Sequence, residues 1–139
     1  MKLNGIAHIQ LTVSDVVRSK AFWKPLLELF EMMPLIDSDD YYYCIGSRTG
    51  VAIAPIDPEH EGDTFDQRRV GLHHVCFRAR ERGDIDEIHR VVEALGAKIV
   101  HPPQEDAWAP GYYSVLFEDP DGIRIEVNFV PGKGHLKEG

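Results

Sequence analysis

Three things are scarce in this chain, and each scarcity excludes something. Cysteine is the first: the 139 residues hold two, Cys44 and Cys76, both inside apolar runs and not in a C-x-x-C pair. A disulfide scaffold is therefore excluded, and the usage suits a reducing cytoplasm. Long apolar runs are the second. None approaches the ~20 residues needed to cross a bilayer. The start, Met1-Lys-Leu-Asn-Gly5, runs straight into a strand-like stretch with no signal-peptide pattern. Basic residues are the third, 15 Lys and Arg against 23 Asp and Glu, for a net charge of -8. An acidic surface repels phosphate backbones and anionic headgroups, so neither nucleic acid nor membrane is an expected partner. The expectation is a cytoplasmic protein that works on a small molecule.

What is present is globular. Hydrophobic residues make up 43% and charged residues 27% of a chain the length of one domain, enough to bury a core without staples. The tail, residues 131–139, is small and polar and reads as loose.

The chain also repeats itself. Gly5-Ile-Ala-His8-Ile-Gln-Leu-Thr-Val13 is matched by Gly71-Leu-His-His74-Val-Cys-Phe-Arg-Ala79, Gly on Gly and His on His, at an offset of 66. Both runs are β-rich with polar residues at alternate places and read as strands. Each leads to a helix. The first begins near Ser14-Asp15 with Ser14 as N-cap and an apolar face of Val17, Ala21, Phe22, Leu26 and Leu29, and Pro25 should kink or divide it. The second covers about 84–95, with a stripe of Ile85, Ile88, Val92 and Leu95 and a stop at Gly96. Three strand-like segments follow each helix: about 32–37, 41–47 and 51–56, then about 98–101, 112–118 and 123–129. Turns at Ser47-Arg-Thr-Gly50 and Asp119-Pro-Asp-Gly122 join the last pair of each unit, where the offset is 72. The expected fold is α+β: one domain, residues 1–139, of two βαβββ units at about 4–57 and 71–130, joined by a linker at about 58–70.

His8 and His74 occupy the same place in the two units. Glu126 lies in the final strand between apolar Ile125 and Val127, so it points away from their face. A carboxylate there is costly unless paired or bound to metal. Two imidazoles and one carboxylate make a three-ligand site with open positions, suited to zinc, manganese, nickel or ferrous iron. Gln10 shares the face of His8, and Cys76 and Arg78 share that of His74. Arg78 is a candidate for a substrate carboxylate or phosphate. Tyr42 and Ser114 stand at matching places and are candidates for the pocket lining. Trp108, in Asp106-Ala-Trp-Ala-Pro-Gly111, belongs to an aromatic lid or a packed loop. His73 should face away from His74 and be structural.

Four stretches carry a resemblance: Gly5-Ile-Ala-His8-Ile, Ser19-x-x-Phe22-Trp23, Gly71-Leu-His-His74-Val and Phe117-Glu-Asp-Pro-Asp-Gly122-Ile-Arg-Ile-Glu126. Together they resemble the vicinal oxygen chelate superfamily: glyoxalase I, extradiol dioxygenases, fosfomycin-resistance proteins, methylmalonyl-CoA epimerase and bleomycin-resistance proteins. The resemblance implies an eight-stranded, cup-shaped mixed sheet arrangement with helices outside and one divalent ion in its mouth. It implies a reaction in which substrate oxygens chelate that ion, with Glu126 both ligand and candidate proton carrier. It also implies a homodimer, in some members with the metal site shared between chains. Ala54 stands where glyoxalase I carries a fourth ligand, Leu116 where extradiol enzymes carry Tyr, and Gln10 where fosfomycin enzymes carry Thr. The reaction is thus open among dioxygenase, lyase or isomerase, and epoxide-opening transferase. The alternative is a metal-independent binding protein of the bleomycin-resistance kind, motivated by Tyr41-Tyr42-Tyr43 and Trp108.

Overall fold

The computed structural model describes residues 1–135. The chain divides into two compact units, Met1–Thr64 and the remainder from Phe65. Their element order is the same. The first has β1 (His8–Val13), α1 (Val16–Leu29), β2 (Met33–Asp37), β3 (Tyr42–Gly46) and β4 (Thr49–Pro55), then a short 3-10 turn at Pro58–His60. The second has β5 (Val75–Arg78), α2 (Arg82–Ala94), β6 (Lys98–Glu105), β7 (Tyr113–Glu118) and β8 (Arg124–Phe129). Each builds one four-stranded mixed sheet, in the orders β1-β4-β3-β2 and β5-β8-β7-β6. The first strand of each unit runs parallel to its last, and the other pairs are antiparallel. The protein is thus α+β with two βαβββ units, as the repeat predicts.

Each helix covers one face of its own sheet, which fixes the strand parity. In β1, Leu11 and Val13 are buried while His8, Gln10 and Thr12 are exposed. In β8, Ile125 and Val127 are buried and Glu126 and Asn128 are less so. Val115 and Phe117 of β7 join Ile85, Ile88 and Val92 of α2 in the second core.

The first helix differs from expectation. Its N-cap is Asp15, whose carboxylate accepts from the Arg18 N–H at 3.0 Å, while Ser14 Oγ accepts from the Arg18 guanidinium at 2.9 Å. Its buried stripe is Val16, Ser19, Phe22, Trp23, Leu26 and Leu27, and Val17 is 74% exposed. The apolar pattern misled because the stripe includes a serine. Helix α1 runs unbroken through Pro25, since the buried side chains on both sides of it outweigh one missing hydrogen bond. Helix α2 begins with a reciprocal capping box between Glu81 and Asp84 and stops at Gly96, φ +80°.

The first hairpin also differs. Its turn is Ser47-Arg48, both with positive φ (49° and 66°), flanked by the Gly46–Thr49 pair. This is the two-residue primed geometry whose hand matches strand twist. Gly50 belongs to β4 instead, where a Cβ would stand 2.5 Å from the Tyr43 ring. Of the tail, Pro131–His135 are exposed, and His135 Nε2 lies 2.9 Å from the Trp108 carbonyl. Residues 136–139 lie outside the described residues. No helix among the described residues is long and apolar enough to cross a membrane.

Candidate functional site

In the second unit the site grows out of register. Strand β5 places Cys76 opposite Glu126 and Arg78 opposite Asn128, and β7 places Leu116 opposite Glu126 and Ser114 opposite Asn128. Cross-strand partners share a face. Two adjacent rows result on the face turned from α2: Cys76, Glu126, Leu116, and then Arg78, Asn128, Ser114. His74 stands two residues before Cys76, just ahead of β5.

His74 Nε2 and Glu126 Oε2 converge to 3.1 Å, with side chains 34% and 14% exposed. The other carboxylate oxygen, Oε1, accepts a hydrogen bond from the Tyr112 hydroxyl. Burial first, and then this bond to Glu126, raise the Tyr112 pKa above its ordinary value, so the hydroxyl keeps its proton. The nearby Asn128 side chain acts on the Tyr112 pKa in the opposite direction. His73 is not turned away, because residues 71–74 precede the strand and strand alternation does not apply to them. Its Nδ1 lies 2.8 Å from His74 Nδ1, with the two rings edge to face. Both groups of the His74–Glu126 pair therefore have an outer hydrogen-bond partner.

Around this pair the surroundings are mixed. Cys76 is exposed as a residue, but crowding at its sulfur, helped by the charge of Glu126, pushes the thiol up to about 12. It is a thiol, not a thiolate, at neutral pH. Leu116 is the apolar neighbour of Glu126, and His101 pairs with Leu116 on β6 while its Nδ1 lies 2.8 Å from the Pro102 carbonyl. Ser114 Oγ and Asn128 Oδ1 are buried and have no hydrogen-bond partner among the described residues. Arg78 is exposed beside them. The Trp108 side chain is 75% exposed, so it is not packed beneath its loop.

In the first unit, His8 and Gln10 lie on the exposed face of β1, and Gln10 Oε1 accepts from the Tyr41 hydroxyl at 3.3 Å. Tyr43 pairs with Ala52 on that same face. Tyr42 does not line it. It pairs with Ile53, which pairs with Leu11, so it lies on the helix-covered face, fully buried beside Cys44, and its hydroxyl has no hydrogen-bond partner among the described residues. The two hairpins do not share one offset along the repeat. The parallel pairs Gln10–Ala52 and Cys76–Glu126 give 74 for the last strands (126 minus 52). The hairpin partners then place Val115, not Ser114, opposite the counterpart of Ile53 and so equate it with Tyr42. A one-residue slip reverses every side chain. By the same pairing, the counterpart of Glu126 is Ala52 rather than Ala54. Both are alanine, so a fourth carboxylate is absent from either place.

Among the described residues, no three His, Cys, Asp or Glu side chains stand together closely enough to hold a metal ion. The second-unit pair nevertheless fits one as a half-site. Two donors at ~2.1 Å from one ion, at right angles, stand about 3 Å apart, and the His74–Glu126 separation is 3.1 Å. Imidazole nitrogen and carboxylate oxygen suit a first-row divalent ion.

The family comparison agrees with this architecture. The model of the Glyoxalase/Bleomycin resistance protein/Dioxygenase superfamily matches residues 5–127, and the chain belongs to that superfamily. It is 26% identical over 121 residues to the uncharacterised protein YqjT of Bacillus subtilis, covering 86% of this chain and 94% of that one. A crystal structure from Bacillus halodurans, provisionally named a glyoxalase, is 25% identical with a TM-score of 0.80, covering 91% and 96% of the two chains. A mutant of the fosfomycin resistance protein FosX of Listeria monocytogenes, in complex with Mn(II) and 1S,2S-dihydroxypropylphosphonic acid, is 22% identical with a TM-score of 0.64, covering 91% and 90%, a likeness of fold alone.

Proposed function

We propose that the protein is a divalent-metal-dependent enzyme that acts on a small oxygenated metabolite through chelation by two substrate oxygens. The observation that carries this reading is the convergence of His74 and Glu126 in a unit whose repeat carries His8 at the equivalent place. His74 Nε2 and Glu126 Oε2 are two ligands. His8 is the third, from the first unit of the same chain or of a second copy in a homodimer. Bound there, a zinc, manganese, nickel or ferrous ion supplies a Lewis acid for developing negative charge on substrate oxygen.

The chain's own groups do the rest. Leu116 gives the substrate an apolar wall beside Glu126. Arg78 receives an anionic end. Ser114 Oγ and Asn128 Oδ1, buried without partners among the described residues, offer a hydroxyl and a carbonyl to a substrate polar group, since unpaired buried groups are costly until satisfied. Gln10 contributes from the first unit, and Trp108 is the loop residue available to cover a bound molecule. Glu126 is the carboxylate placed to take a proton next to the chelated oxygens. In the FosX complex a protein of the same fold holds Mn(II) together with 1S,2S-dihydroxypropylphosphonic acid. A cytoplasmic site of action accords with the unpaired cysteines.

Metal analysis of chelator-free protein, followed by oxygen uptake with a catechol panel after anaerobic Fe(II) loading, tests the reading and divides dioxygenase from lyase, isomerase or transferase. Protein with neither metal nor affinity for Mn(II), Zn(II), Ni(II) or Fe(II) refutes it.

A second reading rests on the first unit. Tyr41 and Tyr43 share the face of His8 and Gln10, giving an aromatic surface for a ligand held without turnover, as in a metal-independent drug-binding protein. It requires ligand binding that survives His74→Ala and Glu126→Ala. Loss of binding in both variants overturns it.

A further inference from the structure

We propose that Tyr112 is a positioning residue for Glu126, holding the carboxylate so that one oxygen alone faces His74. This rests on the reading of His74 and Glu126 as metal ligands. The carboxylate is divided between two partners: Oε2 lies 3.1 Å from His74 Nε2, and Oε1 receives the Tyr112 hydroxyl. With only 14% of the side chain exposed, water competes poorly for Oε1. Asn128 lies two residues beyond Glu126 on the same face of β8.

The backbone around Tyr112 supports the same role. Tyr112 ends the 106–112 loop immediately before β7. Two hydrogen bonds fasten it there: Asp106 N–H to the Tyr112 carbonyl at 3.2 Å, and Tyr112 N–H to the Ala109 carbonyl at 3.1 Å. Gly111 turns through φ +71° with its α-carbon against Pro131, where a Cβ would meet the ring at 2.7 Å. Two residues before Ser114, Tyr112 keeps the parity of the Glu126 face. Without the hydroxyl, Oε1 is free to rotate, either toward His74 in place of Oε2 or into two-oxygen binding. A single held oxygen leaves more of the ion's positions open to substrate. Outer partners of this kind commonly change metal affinity by ~10–100-fold.

Tyr112→Phe removes one oxygen and keeps the ring. The measurement is Mn(II) affinity by EPR of the free ion, with circular dichroism to confirm the fold, and with the Glu126 carboxyl ¹³C shift recorded in metal-free protein. The expected result is ~10–100-fold weaker binding together with a moved Glu126 signal. In a Glu126→Gln background the effect of Tyr112→Phe should shrink, which a merely structural role would not produce. A Tyr112→Phe variant that binds Mn(II) as tightly as wild type, or leaves the Glu126 signal unmoved, overturns this inference alone. Wild-type protein that takes no metal overturns the proposed function and this inference together.

Discussion

Gly111→Ala perturbs the loop that ends at Tyr112, and its effect can be worked out against a control. Gly111 and Gly96 both have left-handed backbones, φ +71° and +80°. A Cβ costs roughly 1–2 kcal/mol there, offset by ~0.4–1 kcal/mol from the stiffer unfolded chain. These contributions are shared. The surroundings differ: a Cβ at Gly96 meets nothing within 4 Å, whereas at Gly111 it lies 2.7 Å from Pro131 Cγ and 3.0 Å from Cδ. The proline ring is rigid but exposed, so it yields in part, and overpacking adds ~1–2 kcal/mol, the lower part of the usual range. Gly111→Ala should therefore lose ~1–2 kcal/mol more than Gly96→Ala, about 3–7 °C in Tm for a domain of this size. Thermal melts of the two variants read the difference. Mn(II) affinity should fall in Gly111→Ala, because Tyr112 is displaced, and hold in Gly96→Ala. Equal losses of stability, or a milder Gly111→Ala, refute the argument.

Other outcomes follow from the packing and charge. Trp23, fully buried in α1, should cost ~3–5 kcal/mol on replacement by alanine, read by urea denaturation. The double change Ser47→Asn and Arg48→Gly should stabilise by about 1 kcal/mol, since both positions hold positive φ in the β3–β4 turn. A lower urea midpoint in that variant would contradict the turn assignment. Asp37 is held below its ordinary pKa by hydrogen bonds from Lys20 and then Lys24, at 2.7 Å each. A depressed carboxylate stabilises above its unfolded pKa and loses that contribution as pH falls through the folded one. Asp37→Asn should thus have a slightly lower urea midpoint than wild type at pH 7, with the gap closing as pH drops below the ordinary carboxylate range.

Much of the fold was legible because the repeat and the strand alternation are local signals. His8 with Gln10, and Glu126 between Ile125 and Val127, follow from period-two patterning, and Gly96 ends α2 as a glycine should. Tyr42 was misplaced for a physical reason: the two hairpins differ in register by an odd number, which no composition reveals and which exchanges the faces. Tyr112 and His73 were missed because their roles depend on contacts. One is set by the loop before β7, and the other by the short approach to β5 in which alternation has not begun. Asn128 carried a weak signal, since it lies two residues beyond Glu126 on the same strand face. Ser19 is not legible as part of the buried stripe, because a serine interrupts the apolar pattern that identifies a helix face.

His8, His74 and Glu126 are proposed to hold one ion. The most direct measurement is X-ray absorption spectroscopy of protein loaded with one equivalent of Ni(II) or Zn(II), which counts imidazole ligands. Two imidazoles with oxygen donors in wild type, and one in each of His8→Ala and His74→Ala, is the result the account predicts. A wild-type spectrum with one imidazole or none, or a His8→Ala spectrum that still contains two, contradicts it.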